Sequence, residues 1–307
     1  MLGNTQYFGI LLALLSAVLM GIYPAAARWS YQHGSNSTFI VLVTTFSRLL
    51  ILYVCCIITK QKILQARNSN WKAIVSGGVL QAISIVGILS SVALIPGPVA
   101  LTILFTHTLM LYGLCVVTGE ERFTMIALAC TAMALVGVTQ VVGLWDSAVP
   151  LNIWGVVLAF IAAIATMGRA YLFGHQVKSD HPMVVGVWTF IVAFPITILL
   201  VLFCPAALPV DTQGIVAALL AALSLGLGTV AAFYGIALLG AFQFSLFLKI
   251  EPIFTALFSI IILSEYLSFN QYVGIATVLA SLVGYQVFIS RQAGVVRSIR
   301  RMNARNS

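Results

Sequence analysis

The chain has 307 residues, of which 61% are hydrophobic and only 7% are charged. A soluble domain carries roughly 25% charged residues, so this composition excludes a soluble protein. The net charge of +8 does not indicate nucleic-acid binding, because the cations are concentrated in links and in the tail of an otherwise apolar chain. We therefore expect a polytopic membrane protein whose surroundings are the lipid bilayer, with no nucleic-acid partner.

Ten apolar segments follow one another, each near the 20 residues that a spanning helix requires. The links are short, and residues 95–98 and 239–241 are typical of tight turns because proline and glycine interrupt helices. No basic stretch precedes the first segment, so we expect a retained helix and not a signal peptide. The predicted segments are 8–28, 37–59, 73–94, 98–118, 124–144, 152–173, 183–204, 214–238, 243–264 and 270–290.

The cysteines indicate no special chemistry. All five lie in apolar segments without the paired spacing of metal ligands, at Cys55, Cys56, Cys115, Cys130 and Cys204. Such residues are typical of small buried hydrophobic side chains. We expect no disulfide framework, no metal and no cofactor.

Three short patterns recur at nearly one interval, which indicates an internal duplication. They are Gly9-Ala13-Ala17 with Gly155-Ala159-Ala163 at a shift of 146, Leu135-Val136-Gly137 with Leu282-Val283-Gly284 at 147, and Glu121-Thr124 with Glu265-Ser268 at 144. Each half holds five segments, an odd number, so the second half enters the membrane from the opposite side and the halves are inverted repeats. The predicted fold class is an all-α integral membrane protein of ten transmembrane helices. The predicted domains are two five-helix repeats, 1–148 and 149–291, and a basic cytoplasmic tail, 292–307.

The positive charges predict the orientation. With the N-terminus inside, eleven of the fifteen lysines and arginines lie in cytoplasmic links or in the tail, as the positive-inside rule requires. Arg28 is the one cation near the outer side, and Arg48, Arg169 and Lys249 lie within segments. We expect a multi-pass protein of a cell membrane, a bacterial inner membrane, with both termini cytoplasmic.

Several of these residues also mark a family. The motifs are Glu251-Pro252 in the ninth segment, the turn from Ser264 to Gly274, Gly119-Glu120-Glu121-Arg122, Arg28-Trp29 and Arg48. With them the chain resembles the drug/metabolite transporter superfamily, EamA type, over essentially its whole length. The resemblance implies ten helices in two inverted repeats and the export of amino acids or other small metabolites. The fourth segment departs from the family pattern, because Phe105-Thr106-His107-Thr108 stands where a proline is common.

Lys249 and Glu251 are the first candidate site residues. Charges inside an apolar run usually face a water-filled cavity and mark function, and Pro252 loosens the helix beside them. Successive helical residues turn by about 100°, so these two side chains are not a simple ion pair. The alternative for Lys249 is that its long stem carries the ammonium back to the membrane interface.

Arg48 is the deepest charge in the predicted segments. It is a candidate anchor for an anionic group, and the alternative is a structural partner such as Thr44 or Thr45. Arg169 lies close to its predicted helix end, so we expect it to reach the interface rather than to bind substrate.

Three further residues complete the predicted site. His107 lies in the middle of the fourth segment, opposite the Lys249 region by the repeat, and is either a proton relay or a satisfied interior histidine. Tyr234 and Gln243 flank the short link before the ninth segment and are candidates to line a pocket.

The surplus of positive charge within the segments favours a substrate that carries a carboxylate. A lipophilic cation would need a deep acidic residue in the first segment, and residues 8–28 contain none. We predict a secondary active transporter that exports an amino acid or a related carboxylate by alternating access, as a monomer or homodimer, with a proton as candidate coupling ion. The alternative is an exchanger of phosphorylated metabolites or nucleotide sugars, which would want basic residues clustered at one depth. No nucleophile–base pattern indicates an enzyme.

Overall fold

The computed structural model describes residues 2–61, 71–95, 97–144, 152–264 and 266–303. Within these ranges the chain forms helices and short links without any strand, which confirms the predicted all-α class. The helices are α1 (Leu2–Gln32), α2 (Ser37–Ile58), α3 (Trp71–Val92), α4 (Gly97–Phe105), α5 (His107–Val117), α6 (Met125–Val141), α7 (Ile153–Gln176), α8 (Pro182–Phe203), α9 (Thr212–Leu239), α10 (Ala241–Phe247), α11 (Glu251–Leu263) and α12 (Phe269–Asn303).

Every predicted segment corresponds to helix in the structure. Over the described ranges, nine helical stretches are long and apolar enough to cross a membrane, and α6 supplies the tenth as a shorter apolar helix. Two segments are not continuous. The fourth is divided at Thr106 into α4 and α5, and the ninth is divided into α10, a single 3₁₀ turn over Leu248–Ile250, and α11.

The packing of the helices is the same when the two halves are exchanged. α1 packs along α9, and its counterpart α7 packs along α3. In the same way, the contacts of α1 with α10 and α11 match those of α7 with α4 and α5, and the contact of α2 with α9 matches that of α8 with α3. The α6–α12 and α2–α8 pairs join equivalent helices and map onto themselves. This pairing is what two inverted five-helix repeats produce when they pack about a pseudo-two-fold axis.

Small residues at the repeated positions make the close crossings. A Cβ added to Gly9 would lie 2.8 Å from Cγ of Leu239 in α9, and one added to Gly155 would lie 2.7 Å from Cγ2 of Ile95, just beyond α3. The alanines of the same pattern have no exposed surface, namely Ala13, Ala17, Ala159 and Ala163. Their predicted role, to let helix backbones approach closely, is confirmed.

The repeat also extends to the helix caps. The Thr124 hydroxyl accepts a hydrogen bond from the Ala127 N–H at 3.3 Å and caps α6. The Ser268 hydroxyl accepts one from the Gln271 N–H at 3.4 Å and caps α12. Thr124 and Ser268 are the pair that the shift of 144 matched, whereas Glu265 lies outside the described residues.

Polar contacts join the two halves at the end of the bundle that is predicted to face outward. Nδ1 of His33, after α1, lies 2.7 Å from Oδ2 of Asp211, the N-cap of α9. The Asp211 carboxylate also accepts a hydrogen bond from the Gly214 N–H at 2.9 Å. These bonds, that from Gly214 first and then that from His33, lower the pKa of Asp211. Beside them, the Asn36 amide donates to the Pro205 carbonyl at 2.7 Å.

Some sequence predictions lie where the structure describes nothing. The boundary between the repeats, at residues 148 and 149, and the cations Lys62, Arg67 and Arg305 are outside the described residues. The domain boundaries therefore remain predictions. α12 continues through most of the predicted basic tail as far as Asn303.

Candidate functional site

The two helix breaks fall at equivalent positions of the repeats. α5 begins at His107 and α11 begins at Glu251, 144 residues later, which is also the shift between Thr124 and Ser268. Pro252 lies in the first turn of α11, where its missing N–H has no helical acceptor to bond. Discontinuous helices at matching positions of two repeats are typical of the substrate sites of transporters.

Lys249 lies inside the bundle. Its side chain is 2% exposed, and Nζ lies 4.3 Å above the ring centre of Phe105 in α4. The ammonium therefore contacts the face of an aromatic ring from the other half of the chain, a favourable cation–π arrangement. The alternative in which Lys249 reaches the membrane interface is wrong.

Glu251 is the first residue of α11 and is partly buried. A carboxylate in this position complements the partial positive charge of a helix N-terminus. Its charge interacts with that of Lys249, although the two described side chains form no direct ion pair. This agrees with the expectation that they point in different directions.

His107, the first residue of α5, is buried and held in one ring orientation. Nδ1 lies 2.8 Å from the Leu104 carbonyl oxygen, so Nδ1 carries the proton and donates. In the neutral ring, Nε2 is then the acceptor, and it lies 3.4 Å from Oγ1 of Thr108. The ring lies within electrostatic range of Lys249 and Arg169.

Arg48 forms a hydrogen bond with the backbone of Thr44, one of the structural partners that the alternative to anion binding named. Its Nε donates to the Thr44 carbonyl at 3.3 Å, and its guanidinium carbon lies 4.9 Å from the ring centre of Phe190. The residue as a whole is partly buried. It lies within electrostatic range of Tyr23 in α1 and of Arg169 in α7.

Arg169 is a residue of this site that the sequence reasoning missed. Its Nε is fully buried and has no hydrogen-bond partner, so the expectation that it reaches the interface is wrong. Position 169 matches Tyr23 at the shift of 146, and both side chains lie near Arg48. That equivalence was the available sequence signal, because a position facing the centre in one repeat faces it in the other.

These side chains form one central charge cluster. It comprises Arg48, His107, Arg169, Lys249 and Glu251, with each member in electrostatic range of at least one other. Tyr23 lies beside this cluster, because its hydroxyl is in electrostatic range of both Arg48 and Glu251. Within the described spanning segments Glu251 is the one carboxylate, so the cluster carries surplus positive charge.

Tyr234 and Gln243 lie elsewhere, at the end of the bundle predicted to face the cytoplasm. The Tyr234 ring meets the His181 ring edge to face at 5.9 Å. Gln243 donates a hydrogen bond to the Glu121 carboxylate. Burial raises the pKa of Glu121, and the bond from Gln243 partly opposes that effect. The structure does not bring these two predicted residues together with the central charge cluster.

The same end of the bundle is closed by aromatic packing. Tyr112 and Phe242 lie 4.7 Å apart between ring centres, Phe173 and Phe233 are stacked at 4.2 Å, and Tyr285 meets Phe242 at 6.0 Å. We call these five residues the aromatic layer, and each is at most 3% exposed. Here α5 packs against α10, whereas at the other end the described parts of α4 and α11 make no comparable contact.

No metal site is built from the described side chains. Nowhere within the described ranges do three His, Cys, Asp or Glu residues come together as ligands would.

Comparisons with known proteins give a family similarity for part of the chain and the fold of nearly all of it. Residues 153–285 match the model of the EamA-like transporter family. A crystal structure that is 17% identical aligns over 92% of this chain and 98% of its own length with a TM-score of 0.76, so the fold is shared. No curated protein shows significant sequence similarity to the chain.

The matched residues cover the second repeat, and the packing symmetry described above relates the first repeat to it. Members of this family are membrane transporters of small molecules and not enzymes. The second half of the chain is therefore similar to the EamA-like transporter family, and the whole chain shares its fold with a solved structure.

Proposed function

We propose that this transporter is a secondary active exporter of a small metabolite that carries a carboxylate, an amino acid or a close relative. The observation that carries the proposal is the central charge cluster at the two helix breaks. Charged groups are costly within a membrane and are kept where a solute or a water-filled path needs them. The surplus of positive charge suits an anionic group.

The arrangement of the two breaks supports transport by alternating access. Lys249 of one repeat lies over Phe105 of the other, so rocking of one repeat against the other would move the ammonium relative to the ring. The aromatic layer closes one end of the bundle, as expected for a conformation open to the other side. By the predicted orientation, that open side is the outer one.

Export is inferred from the family resemblance, and a bacterial inner membrane with both termini cytoplasmic is inferred from the charges of the links. A proton is the candidate coupling ion, with His107 and Glu251 as candidate carriers because both begin half-helices inside the cluster. Oligomeric state, monomer or homodimer, remains a prediction from the sequence.

One observation favours the alternative, an exchanger of phosphorylated metabolites or nucleotide sugars. The sequence placed Arg48, Arg169 and Lys249 on three separate segments, which argued against a basic cluster. In the structure, Arg48 interacts with Arg169, and His107 lies in range of both Arg169 and Lys249. This electrostatic proximity supports the alternative, so an exchanger of phosphorylated substrates needs its own test.

The test is transport by the purified protein in lipid vesicles. Uptake of labelled amino acids is measured for the wild type, for the Lys249→Ala, Glu251→Ala double variant, and for Arg122→Gln as a control outside the cluster. We expect the double variant to lose uptake and the control to retain it. Equal flux in wild type and double variant would refute the site. Uptake that requires a phosphorylated substrate on both sides of the membrane would favour the exchanger.

A further inference from the structure

The closed end of the bundle, which is predicted to face the cytoplasm, departs from the two-fold symmetry of the packing. There α10 packs against α5 and α7. Exchange of the two repeats would turn these contacts into contacts of α4 with α11 and with α1, and the described parts of those helices make no comparable contact. In a conformation with the opposite end closed, the same symmetry therefore separates α10 from α5 and α7. α10 is the element that has to move when this end opens.

The turn between α5 and α6 contacts α10 across the gap that would open. The N–H groups of Glu120 and Glu121 both donate to the Cys115 carbonyl, at 2.8 and 3.0 Å, so the backbone fixes both carboxylates at the end of α5. Glu121 accepts a hydrogen bond from Gln243 of α10. This bond contributes to closure only while the turn holds Glu121 in place.

The other carboxylate ties the same turn to α7. Oε1 of Glu120 lies 2.9 Å from Nε2 of His175. Beside it α7 meets the start of α10, because a Cβ added to Gly174 would lie 3.1 Å from Cβ of Ala241. The Glu120–His175 pair thus lies where the turn, α7 and α10 come together.

The geometry of this pair requires a proton. Nδ1 of His175 lies 3.0 Å from the Tyr171 carbonyl oxygen, and Nε2 faces the Glu120 carboxylate. A carbonyl and a carboxylate only accept, so both ring nitrogens have to donate, as they do in the imidazolium ion. A neutral ring keeps one of the two bonds. The His175 and Glu120 side chains are 42% and 31% exposed, so their proton exchanges with water at this end.

Other titratable groups surround the pair, although α10 itself contributes none. Burial raises the pKa of Glu121, so acid weakens its bond from Gln243, an effect opposite in sign to protonation of His175. The remaining charged and titratable groups of the neighbouring elements are Cys115 in α5, Arg122 in the turn, Tyr171 in α7, Lys178 after α7, His181 before α8 and Tyr234 in α9.

We propose that the Glu120–His175 pair is a proton-binding site that keeps the cytoplasmic end closed. With the proton bound, the pair fixes the turn to α7, and the turn presents Glu121 to Gln243 of α10. When the proton passes to water, His175 becomes neutral, the turn is released and α10 can move away. A rise in pH on the cytoplasmic side therefore shifts the protein towards the conformation open to that side. This inference rests on the alternating access of the proposed function and adds a control distant from the central charge cluster.

A native thiol reports the opening. Cys115 is 2% exposed and lies on α5 one turn after Tyr112, whose ring meets that of Phe242 in α10. In a parent protein that keeps Cys115 and has the other four cysteines replaced, a membrane-impermeant thiol reagent is added to the cytoplasmic side of oriented vesicles. The initial rate of reaction follows the fraction of molecules open to that side. Parent and variants are compared at equal pH, so the ionisation of the thiol and of Glu121 cancels.

Three variants locate the effect. At about pH 6, where histidines are mostly charged, His175→Ala should react about threefold faster than the parent, the effect of losing one exposed ion pair. At about pH 8 the two should react alike, because the parent has then lost its proton. Glu120→Gln restores a bond without a proton, since its amide donates to the neutral ring, so at about pH 8 it should react about threefold more slowly than the parent. His181→Ala, the same change at another histidine of this end, should match the parent at both pH values.

Several results would overturn the proposal. It fails if the ratio of the His175→Ala rate to the parent rate is the same at both pH values, or is larger at the higher one. If His175→Ala does not yield folded protein, a Glu120→Gln rate equal to that of the parent at about pH 8 contradicts it. If the expected ratios are absent while the vesicles take up amino acids, the proton site fails and the proposed function stands. If Cys115 is never reached from the cytoplasmic side, alternating access fails together with the proton site.

Discussion

The contact between Lys249 and Phe105 gives a prediction with a calculable size. Phe105→Leu removes the ring beneath the buried ammonium but keeps an apolar side chain. A cation–π contact away from water contributes about 2 kcal/mol, and the smaller side chain loses about 1 kcal/mol of packing. The variant should therefore be destabilised by about 3 kcal/mol, of which about 2 kcal/mol depends on the positive charge.

A double-mutant cycle separates the two contributions. In a Lys249→Met background the stem of the side chain remains but the charge is gone, so Phe105→Leu should cost only about 1 kcal/mol there. Thermal unfolding in detergent measures the difference, since 1 kcal/mol corresponds to roughly 2–4 °C in a protein of this size class. Phe105→Tyr, which keeps the ring, is the control. An equal cost of Phe105→Leu in both backgrounds would refute the contact.

Three further predictions concern stability. Gly137→Ala should destabilise the protein by about 1–3 kcal/mol, because the added Cβ would lie 2.8 Å from a backbone nitrogen of α12. At the equivalent position of the other repeat, a Cβ on Gly284 would have a sulfur at 3.6 Å as its nearest atom. Gly284→Ala should therefore be neutral or stabilising in thermal unfolding. Ser264→Gly should stabilise by about 1 kcal/mol, because Ser264 has a φ of 55°, and Gly119→Ser, at a φ of 78° in the matching turn, should do the reverse. The pKa of Asp211 is lowered on folding, so its stabilisation is present above the ordinary value of 3.8 and is lost as pH falls through the lower folded value. Wild type should therefore lose more stability than Asp211→Asn between pH 5 and about pH 3, and parallel melting curves for the two proteins would contradict this.

The spanning segments could be predicted because lipid leaves the backbone few options. Each stretch of about 20 apolar residues must satisfy its own backbone hydrogen bonds, so it forms a helix. The repeat could be predicted as well, since Gly9 meets a bulky side chain at the end of the third helix of the other half and Gly155 meets one just beyond it. Both patterns depend on which residue types stand at which spacing along the chain, and the sequence shows that directly.

The helix breaks were not predicted, because they depend on single side chains that do not change the hydropathy of the segment. Residues 98–118 and 243–264 are as apolar as any continuous helix, so hydropathy does not reveal an interruption. At Thr106 the hydroxyl donates to the Ile103 carbonyl at 2.6 Å, which offers the backbone an alternative to the helical bond. Pro252 had been expected to loosen a helix from within, but it lies in the first turn of a new one.

The composition of the site depends on tertiary contacts that spacing along a chain does not report. Distance from a helix end suggested that Arg169 would reach the interface, yet its Nε is buried beside the centre. Tyr234 and Gln243 are close in sequence to Lys249 but lie with His181 and Glu121 at one end of the bundle. The rotation of each helix about its axis decides such cases, and the packing of the whole bundle sets that rotation.

The most direct test of the central claim is whether solute reaches the central charge cluster. In a variant whose five native cysteines are replaced, Tyr23→Cys places one thiol beside Arg48 and Glu251, and its reaction with a membrane-impermeant thiol reagent is measured in oriented vesicles. We expect reaction from the side opposite the aromatic layer and protection by the amino acid that the wild type transports. A thiol that reacts from neither side, or that reacts equally fast with and without that amino acid, would contradict it.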